Sequence, residues 1–128
     1  MTKFAVLPDL DTLFIDFLEA HADLSPLHGG RVGTSLAPGG LTCLRVANLG
    51  GSMPAPWLGR PEYQIDSWGG THAQAERLAW TVCAAIYDMR AAVPKVTWAI
   101  VTLTPLWQPD PVSNRPRYIT QAQFEATP

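Results

Sequence analysis

Few side chains in this sequence could do chemistry, and their spacing argues against most of it. Three histidines stand at His21, His28 and His72, and two cysteines at Cys43 and Cys83. Zinc sites draw closely spaced Cys and His pairs from one or two turns, and no such pair occurs here. The histidines therefore read as surface or loop residues, and no metal is expected. His28-Gly-Gly-Arg-Val-Gly-Thr34 superficially resembles a phosphate-cradling loop. It lacks the Gly-Lys-Ser/Thr ending, and a strand follows it where a helix N-terminus should receive the anion, so it reads as a turn. Asp66 and Glu76 could be drawn as an acid/base pair, but a strand carboxylate and a carboxylate on the solvent face of a helix need no such role. Ser35, Ser52 and Ser67 sit in no nucleophile-elbow pattern. No catalytic residue and no cofactor is expected, and the chain does not read as an enzyme.

The elements that would position these residues centre on Tyr63 to Tyr87. Tyr63, Ile65 and Ser67 alternate against Gln64, Asp66 and Trp68, as on a strand. Gly69-Gly70 breaks that strand, and Thr71 is placed to cap a helix with Gln74 as its capping-box partner. Ala75, Leu78, Ala79, Val82, Cys83 and Ile86 then form an apolar stripe on one helix face. A first helix is expected over 8–22, entered at Pro8 and Asp9, with Leu10, Leu13, Phe14, Phe17 and Leu18 turned inward. Asp23 to Gly30 has loop composition. Two short antiparallel strands are expected over 31–36 and 41–49, joined by Ala37-Pro-Gly-Gly40.

The segment from Gly50 to Pro61 holds three prolines and three glycines and reads as a long loop that cannot continue a ladder. Its Met53, Trp57 and Leu58 either fold back on the domain or meet a partner. Lys95 to Leu106 is apolar on both faces, which marks an interior strand or one whose second face something else covers. Trp107 to Pro116 is a second proline-rich loop. Arg117 to Ala126 closes the chain as a strand, Tyr118, Thr120, Ala122 and Phe124 opposing Ile119, Gln121, Gln123 and Glu125.

The sum is one α+β domain over 1–128, a four- or five-stranded mostly antiparallel sheet with two helices packed on one face. At 128 residues such a domain can bury a core without disulfides or metals. Eleven acidic side chains against nine basic ones argue against an electrostatic nucleic-acid binder. There is no apolar run of membrane-spanning length, and the N-terminus lacks the layout of a cleavable signal. The two cysteines read as buried free thiols, expected of a protein folded in a reducing cytoplasm.

Ile65-Asp-Ser-Trp-Gly-Gly-Thr-His-Ala-Gln-Ala-Glu-Arg-Leu-Ala79 resembles the strand–turn–helix signature of the tail terminator (tail completion) proteins of long-tailed bacteriophages, especially those infecting actinobacteria. The opening Leu7-Pro-Asp-Leu-Asp-Thr-Leu-Phe-Ile-Asp-Phe-Leu18, the His28-Gly-Gly-Arg-Val-Gly-Thr34 turn and strand, and the Pro105 to Tyr118 loop and final strand look like the family's corresponding parts, in the same order. The resemblance implies a structural protein of the virion tail or neck, assembled in the host bacterial cytoplasm. It implies a homohexameric ring on the head-proximal end of the tail tube, which halts polymerisation of the major tail tube protein and presents a surface to the head–tail connector or stopper. Such a ring would encircle the DNA path without specific nucleic-acid or membrane contacts. Met53, Trp57, Leu58 and Arg60 in the first long loop, and Trp107, Asp110, Asn114 and Arg115 in the second, are the candidate interface residues. A head-completion or stopper protein of the same neck is the related alternative. A small ligand-binding or enzymatic domain with a pocket beneath residues 50–61 is the alternative of a different class.

Overall fold

The computed structural model describes residues 6–35 and 41–128. Its elements run α1 (Leu10–Ala20), α2 (Ser25–His28), β1 (Val32–Gly33), β2 (Cys43–Ala55), β3 (Leu58–Trp68), α3 (His72–Ala92), β4 (Val96–Trp107) and β5 (Arg117–Ala126). The five strands form one sheet in the order β1-β2-β3-β5-β4. β1 lies parallel to β2, and the other neighbours are antiparallel. The fold is thus α+β, with its helices packed against the sheet. β3, α3 and β4 make a crossover between parallel strands that leaves room for β5 between them, a split βαβ unit.

The two long helices each begin where a capping side chain stands. The Asp9 carboxylate accepts from the Thr12 amide at 3.2 Å and from its hydroxyl at 2.8 Å, so α1 starts at Leu10. Those bonds hold the Asp9 carboxyl below its usual range. Thr71 accepts from the Gln74 amide, and the Gln74 side chain accepts from the Gly70 amide at 3.0 Å, one residue earlier than a standard capping box. The stripe expected on α3 is buried in full, from Ala75 through Ile86. Against it and α1 lies a core in which the rings of Phe14, Tyr63 and Phe124 meet at centroid distances of 4.9–5.8 Å. Both cysteines are buried and free, and burial pushes the Cys83 thiol up.

Several expectations are corrected. The 50–61 segment is no loop: β2 and β3 continue as one hairpin to the Ala55–Leu58 pair, with only Pro56-Trp57 at the turn. Its prolines are tolerated because Pro54 lies on an edge strand, while a bulge between Asn48 and Gly50 absorbs the irregularity. Gly51 is required there, since its φ is +126° and a Cβ would overlap the Arg60 carbonyl oxygen. The strand expected over 31–36 is only Val32–Gly33, and it pairs parallel to β2, not antiparallel. The expected Ala37–Gly40 turn, Leu36 and the N-terminal five residues lie outside the described residues.

β4 is an edge strand rather than an interior one, since β5 takes the inner place. A short helix, α2, occupies part of the expected 23–30 loop, closed by Gly29 in the left-handed conformation. His28 on it is neither surface nor loop. It is fully buried, donating from Nε2 to the Leu18 carbonyl at 2.9 Å and accepting at Nδ1 from the Gly30 amide at 2.9 Å. The accepting Nδ1 fixes the tautomer.

Candidate functional site

The eight residues expected at an interface fall into two groups at opposite ends of the sheet. Gly59 pairs with Ala126 at one end of β5, and Trp68 pairs with Arg117 at the other. The ten residues of β5 therefore separate the groups by about 30 Å at ~3.3 Å per residue.

At the hairpin end, Met53 and Trp57 are 59% and 61% exposed, while Leu58 and Arg60 are half-buried. Arg60 is committed within the domain, donating to Glu125 at 3.0 Å across the sheet. From Leu49 to Pro54 every residue of β2 is exposed, so this half of the hairpin forms a sheet edge with no described helix over it. A groove of about 480 Å³ runs between it and the start of α1, lined by Asp9, Asp11, Asn48, Met53 and Tyr63 among others. Its polar groups bind one another. Tyr63 donates to Asp11 at 2.5 Å, Asn48 donates to the same oxygen at 2.9 Å, and the Gly50 amide donates to the Asn48 side-chain Oδ1 at 2.7 Å. Burial first, and then the Asp11 acceptor, push the Tyr63 phenol well above its ordinary value.

At the opposite end, Asp110 shapes a tight turn, accepting from the Ser113 amide and hydroxyl at 2.9 and 2.5 Å. Those bonds hold its carboxyl below the usual range. Asn114 takes the turn's left-handed position, with φ of 57°. Arg115 donates to the Leu41 carbonyl at 2.9 Å and stands 5.1 Å from the Trp68 ring, as does Arg117. Two guanidinium groups thus lie against one buried indole, which keeps both cations near this end of the sheet. Asp110, Asn114 and Arg115 shape this turn and anchor it. Of this group Trp107 is the large apolar side chain left partly in water, at 41% exposure.

Trp107 leads to a cluster that sequence reasoning missed. Its indole stacks on the His72 imidazole, with centroids 4.2 Å apart and planes 8° from parallel. His72 Nε2 lies 2.5 Å from the Tyr118 hydroxyl, which donates to Glu76 at 3.4 Å. Burial, and next the Glu76 charge, raise the Tyr118 phenol. The only signal in the chain was His72 and Glu76 four apart at a helix start; their two aromatic neighbours come from other strands. Asp66 and Glu76 are not brought together as a pair: Asp66 is buried on β3 and accepts from Gln64 at 3.0 Å. Also missed were Trp80 and Tyr87, seven apart and about half exposed on the outer face of α3. Tyr87 accepts the Val101 amide of β4 at 3.2 Å.

Among the described residues no three of His, Cys, Asp or Glu converge as a metal site, and no helix is long and apolar enough to cross a membrane. No family model and no curated protein sequence matches the chain. The chain does share its fold with a solved chain of the virion of a native gene transfer agent particle, with a TM-score of 0.66 at 17% identity over 88% of this chain and 90% of that one.

Proposed function

We propose that the protein is a structural component of a phage-like virion, acting as a tail terminator. It forms a ring on the head-proximal end of the tail tube, stops addition of tube protein and offers its other side to the head connector. The observation that carries this reading is the placement of two partly apolar surfaces at opposite ends of one sheet, Met53 and Trp57 at one and Trp107 at the other. A terminator must bind two different neighbours at once, and a sheet with a contact surface at each end can do so. The fold shared with a gene transfer agent virion chain supports the same setting. The groove beside the hairpin gives a ligand-binding role little support, because its convergent polar groups already bind one another.

Electron microscopy of lysates from a phage deleted for this gene tests the reading. Overlong or ragged tails beside separate filled heads are expected. Tails of normal length beside emptied heads would assign the protein to the head stopper instead, and intact particles would end both readings.

A further inference from the structure

We infer that the free edge of β4 pairs with the distal β2 edge of a second copy of this chain, joining the copies head to tail through a continuous antiparallel sheet. This rests on the ring reading above and names the contact that would build it. Among the described residues β1 covers only Leu44 and Arg45 of β2, so the edge from Val46 to Ala55 has no strand beside it. β4 likewise has β5 on one side only. Neither Val46–Ala55 nor Val96–Trp107 contains a charged residue, and charges are a common protection of sheet edges against strand addition. Trp98 and Leu106, each nearly half exposed, line the β4 edge, and Leu49 and Met53 line the other.

Strand direction selects the mode of pairing. β2 opposes β3, and β4 runs with β3, so the two free edges are antiparallel to each other within one subunit. Copies related by rotation about an axis along the strands therefore present β2 to β4 in the antiparallel sense, which is the heterologous contact that closes rings. Charge agrees with it. Asp9 and Asp11 stand beside the distal half of β2, whereas Lys95 directly precedes β4 and Arg90 lies 5.9 Å from the Trp98 ring at the same end of the sheet. Head-to-tail pairing sets these acids against these bases. The Tyr87 hydroxyl holds the outward Val101 amide in the single subunit, and an incoming carbonyl replaces it.

Rotation about that axis keeps Ser52 on the row of Trp98, so variants S52C and T97C, each at an exposed position, test the pairing with a short bis-maleimide. The native cysteines are buried, and wild-type protein serves as the control. A mixture of the two variants is expected to yield covalent dimer while each alone stays monomeric. Y87F is expected to raise the dimer yield. T97C crosslinking to itself would replace this contact with a two-fold β4–β4 pairing, and absence of mixed dimer overturns it whether or not rings are seen. Rings on tail ends without the crosslink would sink this contact and spare the proposed function. Crosslinked rings from a gene whose deletion leaves virions intact would do the reverse.

Discussion

The Tyr63 hydroxyl donates to the Asp11 carboxylate at 2.5 Å, fastening the middle of β3 to the first turn of α1. The same carboxylate oxygen accepts from Asn48 on β2, so one acid fixes the helix to both strands of the hairpin just below its bulge.

Tyr63→Phe keeps the ring in the aromatic core and removes this bond. It should lower unfolding free energy by about 1.5–3 kcal/mol, the range for a hydrogen bond to a charged group. The phenol is raised in the folded protein, so its contribution is whole below the unfolded value near 10 and is lost as pH rises beyond it. Urea titrations from neutral to strongly alkaline pH should show wild-type stability falling above that value, with a shallower fall in the variant. Equal slopes would mean that Tyr63 ionises alike in both states.

Gly51→Ala should disorder the distal hairpin, because its side chain meets the Arg60 backbone as well as an unfavourable φ. Gly50→Ala meets open space and carries only conformational strain, roughly 1–2 kcal/mol. Amide exchange over 48–60 distinguishes them: fast exchange in the first variant and near wild-type protection in the second are expected.

His28→Ala leaves a cavity in the core and orphans the Leu18 carbonyl and the Gly30 amide. A loss of about 2–4 kcal/mol is expected, measured by chemical denaturation. A change below 1 kcal/mol would mean that water replaces both bonds at little cost.

Trp57→Ala removes a side chain that is 61% exposed at the hairpin turn. Unfolding free energy should shift by no more than ~1 kcal/mol, as for surface substitutions, while capping of tail tubes is lost. Calorimetry beside a tube-length assay reads both. A large fall in melting temperature with proportionate loss of capping would make Trp57 a structural residue.

The local elements were written into the chain. Thr71, the two glycines before it and the stripe from Ala75 to Ile86 specify α3 whatever surrounds it, because capping and helical periodicity act over a few residues. Asp9 does the same for α1. The alternation of β5 and its two faces was equally readable. Edge position was not. β4 is apolar on both sides, and only the placing of β5 between β3 and β4 leaves one of its margins open. The hairpin through Pro54 and Pro61 also escaped, because a proline is excluded from a ladder only where its missing amide is needed. His28 reads as a loop residue in the chain and becomes a core hydrogen-bonding group only when Leu18 and Gly30 meet it. The stacked His72 and Trp107, the two arginines beside Trp68 and the Tyr63–Asp11 bond join residues 35 to 52 positions apart. Sequence periodicity reports which face a side chain shares with its neighbours along one element; which distant side chain it touches follows from strand order and register, which the packed sheet alone decides.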